Sequence, residues 1–193
     1  PSSLRRLFVP TLLCLALFPA SFALAGKSGG QDIPNTNIPS INDYGNIDSL
    51  AGNNVRVTGE TISGNVFGAY TTDNPAAISG NNVTVTDHST VKQNIYGGHA
   101  KVSGNEASAI ANSNHVDVSN SRVENSSSFI SAGNIFGGRA YVKGSQTAAA
   151  EANNNSVTVS DHSTVDEDIR GGRAYVEGNQ TAAAEASGNS VTV

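Results

Sequence analysis

The sequence predicts an all-β protein, a parallel β-helix (β-solenoid) built from imperfect repeats of about 34 residues, on three observations. The first is repetition: Asn112-Ser-Asn-His-Val-Asp-Val118, Asn153-Asn-Asn-Ser-Val-Thr-Val159 and Ser187-Gly-Asn-Ser-Val-Thr-Val193 each close a run of Gly-Gly, Ala-x-Val and an alanine-rich stretch. Units this small cannot bury a core alone and are stable only when stacked. The second is composition. After residue 25 there is no Trp or Met, Leu50 is the only leucine, and Val, Thr, Ile, Asn, Ser and Gly dominate, so the helix formers Leu and Met are scarce and β-branched residues common. The third is period-two alternation, which a disordered polar chain does not sustain.

Residues 1–25 stand apart. Arg5-Arg6 precede an apolar run from Leu7 to Phe22 that ends at Ala23-Leu24-Ala25, the order of a cleaved signal peptide. The run is short for a membrane span, and Pro10 and Pro19 interrupt it. Its removal takes away the single cysteine, Cys14, and two of the eleven basic residues, so the formal charge moves from −5 to −7. An exported chain without cysteine depends on backbone pairing and packing for stability. An acidic balance also argues against nucleic acid as a partner. Residues 26–51, with Gly29-Gly30, Pro34 and Pro39, read as an irregular lead-in or cap.

From residue 52 to 193 the Val-x-Val marker recurs at Val55, Val83, Val116, Val157 and Val191, at intervals of 28, 33, 41 and 34 residues. The unit from Val83 is one residue shorter than the standard because Gly104-Asn-Glu106 replaces Gly144-Ser-Gln-Thr147. The unit from Val116 is seven longer, with its excess between Ser119 and Ile135. Length changes confined to Gly-, Asn- and Ser-rich stretches are what solenoid corners tolerate.

The copies align within the one chain. Ala100 and Val102 match Ala140 and Val142, then Ala174 and Val176, while the residues between them vary. Fixed small apolar positions at period two mark the inward face. The next strand agrees, with Ala107, Ala109 and Ala111 matched by Ala148, Ala150 and Ala152, then by Ala182, Ala184 and Ala186. A core of Ala and Val is narrow, so its walls must approach closely. The 34-residue unit also divides into halves, Ser156–Gly172 and Arg173–Asn189, which align Val157 with Ala174 and Val159 with Val176. This suggests two small turns per repeat, against one large turn. Asn65, Asn94, Asn134, Asn112 and Asn153 are expected at corners, suited to positive φ and able to pair their amides between turns. The pairs Gly97-Gly98, Gly137-Gly138 and Gly171-Gly172 are expected to form sharp bends.

Two motifs invite chemistry. Asp87-His88-Ser89 and Asp161-His162-Ser163 hold the residue types of a catalytic triad, but neighbours on an extended strand face opposite ways and the copy at Ser119-Asn-Ser-Arg122 lacks Asp and His. Asp166, Glu167 and Asp168 lie near Arg170 and Arg173, yet consecutive acids offer few oxygens on one side and the parallel copies are not acidic. No catalytic residue, metal site or cofactor is therefore expected. The outward positions His99, Arg139 and Arg173 form one candidate binding column, and Lys101, Tyr141 and Tyr175 a second; such columns bind glycans or proteins, or simply pack across strands. Phe129 and Ile130 lie in the long insertion, a candidate recognition loop.

Across residues 52–193 the motifs Asn94-Ile-Tyr-Gly-Gly98 and Asn134-Ile-Phe-Gly-Gly138, preceded by Val-Thr-Val and Ser-Thr-Val, resemble the passenger regions of bacterial autotransporters. The resemblance implies a right-handed parallel β-helix at the cell surface, acting in adhesion, aggregation or biofilm formation. Autotransporters also carry a C-terminal outer-membrane barrel, and no alternating strands of roughly ten residues with aromatic girdles occur here. The chain stops at Val193, where earlier copies continue, so the sequence reads as a passenger truncated at its C-terminal end. The expected function is a non-enzymatic exported repeat scaffold serving as an adhesin or surface stalk. Its expected partner is a glycan or protein of a host or neighbouring cell, with the outer membrane reached only through the missing barrel. The alternative is a secreted β-helical enzyme acting on polysaccharides.

Overall fold

A computed structural model describes residues 43–126, 132–178 and 181–193 of the 193-residue chain. Strand β1 (Tyr44–Gly45) belongs to a partial first turn. The next turn runs through β2 (Asn54–Thr58), β3 (Thr61–Ile62), β4 (Val66–Phe67), β5 (Tyr70–Thr71) and β6 (Ala76–Ser79). Above it lie β7 (Asn82–Thr86), β8 (Thr90–Val91) and β9 (Ile95–Asn112), then β10 (His115–Ser119), β11 (Arg122–Val123) and β12 (Ile135–Glu151). The following turn carries β13 (Ser156–Ser160), β14 (Thr164–Val165), β15 (Ile169–Gly178) and β16 (Thr181–Glu185), and β17 (Ser190–Thr192) begins another. Every strand pairs in parallel with its counterpart in an adjacent turn, giving three stacked sheets and a parallel β-solenoid.

Register settles how the repeat maps onto turns. Val55 pairs with Val83, Val83 with Val116, Val116 with Val157, and Val157 with Val191. One repeat is therefore one large turn, and the division into two small turns is incorrect: Ala174 pairs with Ala140, not with Val157. The half-repeat likeness arose because both halves carry the same inward Ala/Val alternation, which any narrow-walled strand shows. The length arithmetic holds in detail. The β9–β12 register slips once, between Gly144 and Thr147, where the shorter copy has Gly104 and Glu106. The excess of the long unit falls between Val123, the end of β11, and Ile135, the start of β12, where the shorter unit has only Lys92-Gln-Asn94 between Val91 and Ile95.

Each turn has two lobes. The first buries Val55, Val83, Val116 and Val157 with Val91, Val123, Ile95 and Ile135. The second is the narrow one expected, with Ala100 and Val102 facing Ala107, Ala109 and Ala111, and the same pattern in Ala140, Val142, Ala148, Ala150 and Ala152. A buried Val or Ile contributes about 1.5–3 kcal/mol and an Ala far less, so the first lobe carries most of the apolar stabilisation. Above them Ala174 and Val176 are half-buried, and Ala182, Ala184 and Ala186 open to solvent. Toward the opposite end Ile47 packs against the aromatic cluster of Phe67, Tyr96 and Phe136, and Leu50 against the second lobe.

Between the lobes is a waist that the Gly-Gly pairs make. Gly97 and Gly98 lie inside β9, not at corners, and neither pair there nor in β12 has a left-handed φ. A Cβ on Gly98 would overlap Ile78 Cγ2 and approach Asn114 Nδ2, and one on Gly138 would overlap the Ala111 carbonyl and Asn155. The glycines are needed for close approach of opposite walls, so the sharp-bend expectation is corrected.

The opposite side of the waist is an asparagine ladder. Asn53 donates its backbone N–H and its Nδ2 to Asn81 Oδ1 at 3.0 and 2.8 Å, and Asn81 does the same to Asn114 at 3.1 and 2.9 Å. Asn114 continues to Asn155, and Asn155 to Asn189. A second ladder runs the other way: Asn94 donates to Asn65 and Asn134 to Asn94, while Asn65 donates to Asp43. A third joins Asn153 to Asn112 and Ser187 to Asn153 through 2.7 Å bonds. Amide pairing thus holds at Asn65, Asn94 and Asn134, whereas Asn112 and Asn153 are joined through the Asn153 backbone N–H and turn their own Nδ2 groups to Glu151 and Glu185; positive φ is found at none of the five. Left-handed backbone falls instead on Asp87, His88, Ser113, Asn120, Asn154, Asp161 and His162. These residues turn the chain so that their neighbours can stack.

Candidate functional site

The triad-like motifs are corners. Asp87 and His88 take φ of 62° and 61°, and Asp161 and His162 take 53° and 60°. Ser89 is buried; its hydroxyl donates to Thr86 O at 2.6 Å and accepts from Glu60 N at 3.3 Å. Ser163 repeats this, donating to Ser160 O at 2.6 Å and accepting from Ser121 N at 3.2 Å. A hydroxyl whose proton is held by a main-chain carbonyl is placed for folding, not attack. The three acids are each engaged. Asp166 accepts from Asn125 N, Glu167 from Asn125 Nδ2, and Asp168 pairs with Arg170 at 2.6 Å. No group of three or more His, Cys, Asp or Glu converges among the described residues.

The outward face of β9, β12 and β15 gathers the other candidates. Register stacks Tyr70, His99, Arg139 and Arg173 in one column and Lys101, Tyr141 and Tyr175 in the next. A further column was not read from the sequence: Phe67, Tyr96 and Phe136 stack with centroids 5.1 and 5.3 Å apart and planes within 8°. Arg170 continues it, 5.7 Å above the Phe136 ring.

His99 departs from its expected place. It is 7% exposed, stacked 4.6 Å from Tyr96 and edge-on to Tyr70 at 5.4 Å. On a flat strand residues three apart face opposite ways, so Tyr96 and His99 should not meet. The Gly-Gly pair between them removes that constraint, because both glycines turn toward Asn114 and the strand changes phase at the waist. The aromatic column then closes over the imidazole. Neither ring nitrogen has a hydrogen-bond partner among the described residues. Burial, then the charges of Arg139 and Lys101, push its pKa well below 6.5.

The sign of the resulting pH dependence is fixed. The unfolded chain takes up a proton at His99 near pH 6.5 while the folded chain resists, so stability falls as pH drops below 6.5 toward the depressed folded value. The slope from one such group is at most about 1.4 kcal/mol per pH unit. His99→Phe should flatten this part of the profile of melting temperature against pH; an unchanged profile would refute the assignment.

Tyr141 and Tyr175 lie at the surface with centroids 5.6 Å apart and an 11° interplanar angle, Tyr175 being 46% exposed. Tyr141 OH donates to Glu177 Oε2 at 2.6 Å, and Lys143 Nζ donates to Glu177 Oε1 at 3.0 Å. That carboxylate raises the Tyr141 and Lys143 pKa values and has its own lowered, first by the Tyr141 hydrogen bond. Arg139 Cζ sits 5.9 Å from the Tyr96 centroid and 5.5 Å from that of Phe136, and Nη1 donates to Tyr96 OH at 3.2 Å. Arg173 Cζ is 5.9 Å from the Tyr175 centroid. Phe129 and Ile130 lie outside the described residues. A shallow groove of about 580 Å³ also runs along the outer side of the alanine-rich strands, between Ser108 and Glu185. Comparison with known protein families, with curated proteins and with solved structures finds no match for this chain.

Proposed function

We propose that the chain is a non-enzymatic scaffold exported to a bacterial surface, an autotransporter-like passenger that adheres through the outer face of β9, β12 and β15. One observation carries the reading: Tyr141 and Tyr175 are stacked in parallel at the surface, with Tyr141 held there by Glu177. Rigid exposed aromatics lose little entropy on contact and are frequent anchors of recognition. The backbone supports the same view, because turns joined by three ladders and by parallel strand pairing present such columns at a fixed pitch. A polysaccharide-cleaving alternative calls for carboxylates free to converge on a substrate, and here Asp166 and Glu167 both accept from Asn125 while Asp168 pairs with Arg170.

The test is adhesion of cells displaying the chain. Tyr141→Ser with Tyr175→Ser should lower attachment roughly tenfold, the effect of losing about 1.4 kcal/mol at an anchor, at equal surface display. Attachment unchanged by both substitutions would leave the chain as a spacer.

A further inference from the structure

We infer that this face binds an anionic glycan, with carboxylate or sulfate groups held by Arg139 and Arg173 and sugar rings set against Tyr141 and Tyr175; the inference rests on the surface-binding reading above. The starting point is an imbalance of charge. The chain is acidic overall, at −5, yet Lys101, Arg139 and Arg173 stand close together on adjoining positions of this face. Their neighbours use the nearby acids: Lys143 pairs with Glu177 at 3.0 Å and Arg170 with Asp168 at 2.6 Å. Neither Arg139 nor Arg173 makes an ion pair among the described residues.

Both guanidiniums are instead held by aromatic rings, Arg139 against Tyr96 and Phe136, and Arg173 against Tyr175. A ring face orients a guanidinium without consuming its N–H donors; Arg139 spends one on Tyr96 OH at 3.2 Å, and its remaining donors can meet the oxygens of a carboxylate or sulfate. The two arginines are register partners on parallel strands about 4.8 Å apart, so one anionic group can be gripped from both. Arg139 and Arg170 also press on Arg173, whose pKa is lowered by burial first and by these two charges next. An anion relieves that repulsion. Beside this pair the Tyr141–Tyr175 stack offers a flat apolar surface, the usual complement of a sugar ring. A single-stranded nucleic acid also combines phosphates with stacking rings, but it requires a basic track along its length, and the chain as a whole has a formal net charge of −5.

Calorimetric titration with a heparin oligosaccharide, an oligogalacturonate, neutral dextran and oligothymidylate tests this. At least one of the first two should bind, separating sulfate from carboxylate as the preferred group, and about 0.5 M salt should abolish the binding. Arg139→Gln with Arg173→Gln should weaken it about tenfold or more at an unchanged melting temperature. Arg139→Lys with Arg173→Lys, which keeps the charge and loses the planar fork, should weaken it less and stands in if the glutamine variant folds poorly. Equal binding of dextran, tighter binding of oligothymidylate, failure of both acidic glycans to bind, or indifference to the arginine substitutions would each overturn the inference. None of these outcomes bears on the adhesion test, which stands or falls with the tyrosines.

Discussion

Replacing Gly138 with alanine should destabilise the solenoid by about 3 kcal/mol or more, a large fraction of what holds a domain of this size together. The added methyl has nowhere to go. It meets the Ala111 carbonyl and the Asn155 amide, and the Ala111 carbonyl is the acceptor of Asn155 Nδ2 at 2.9 Å. Moving the wall outward to make room stretches that bond and the ladder step from Asn114 to Asn155. Overpacking and the loss of buried hydrogen bonds therefore add instead of trading off. Gly80→Asn is the control, since a side chain there meets nothing within 4 Å and asparagine tolerates its left-handed φ of 64°. Urea unfolding followed by circular dichroism should show a much lower midpoint for the first variant and little change for the second. Equal midpoints would show that the waist is not tight.

Asn114→Ala should cost about 3–5 kcal/mol, because one side chain serves two neighbours. Its Oδ1 accepts both the backbone N–H and the Nδ2 of Asn81, and its own Nδ2 donates to Asn155 Oδ1 at 3.0 Å. Truncation leaves the backbone N–H of Asn81 without this acceptor and removes one of the two bonds of its Nδ2, the other going to Leu50 O at 3.2 Å. Asn114→Asp restores the acceptor but places a charge against Asn155 Oδ1, where a donor is required. It should be nearly as damaging at neutral pH and partly rescued in acid, once the carboxyl can donate. Asp43 shows that an acid fits at the accepting end of a ladder, where it takes both the N–H and the Nδ2 of Asn65 and, among the described residues, has no ladder neighbour that needs a donor. A thermal melt of both variants at pH 7 and pH 5 checks the order.

Much of the architecture could be read from residues alone, because period and register are one-dimensional properties. The Val-x-Val markers stack as their spacing implies, and the single-residue slip near Gly104 appears where the copies differ in length. What escaped was the third dimension of the Gly-Gly pairs. Read as corners, they hid the change of phase that brings Tyr96 beside His99, so a residue placed in a solvent-facing column turned out to be buried. Alternation tells which side of a strand a residue occupies, not what closes over that side. The principal ladder left a signal that was passed over: Asn114, Asn155 and Asn189 hold the same place in the three quoted repeats, two residues before each Val-x-Val. The Phe67, Tyr96 and Phe136 column likewise repeats in sequence next to each glycine, in the motifs that carried the autotransporter resemblance. On the candidate face, Arg139, Tyr141, Arg173 and Tyr175 were identifiable as outward, whereas their ring contacts and the engagement of Glu177 required coordinates.

The ladders on the two sides of the first lobe point in opposite directions, one passing its hydrogens from Asn53 toward Asn189 and the other from Asn134 toward Asp43. An inverted turn would set acceptor against acceptor at one ladder and donor against donor at the other, so the stack admits only one orientation. Copying a whole turn in tandem preserves every handover between neighbours, and inserting part of one breaks at least one of them. The grammar of this chain therefore favours lengthening by duplication of complete sentences, which is the pattern its repeats display.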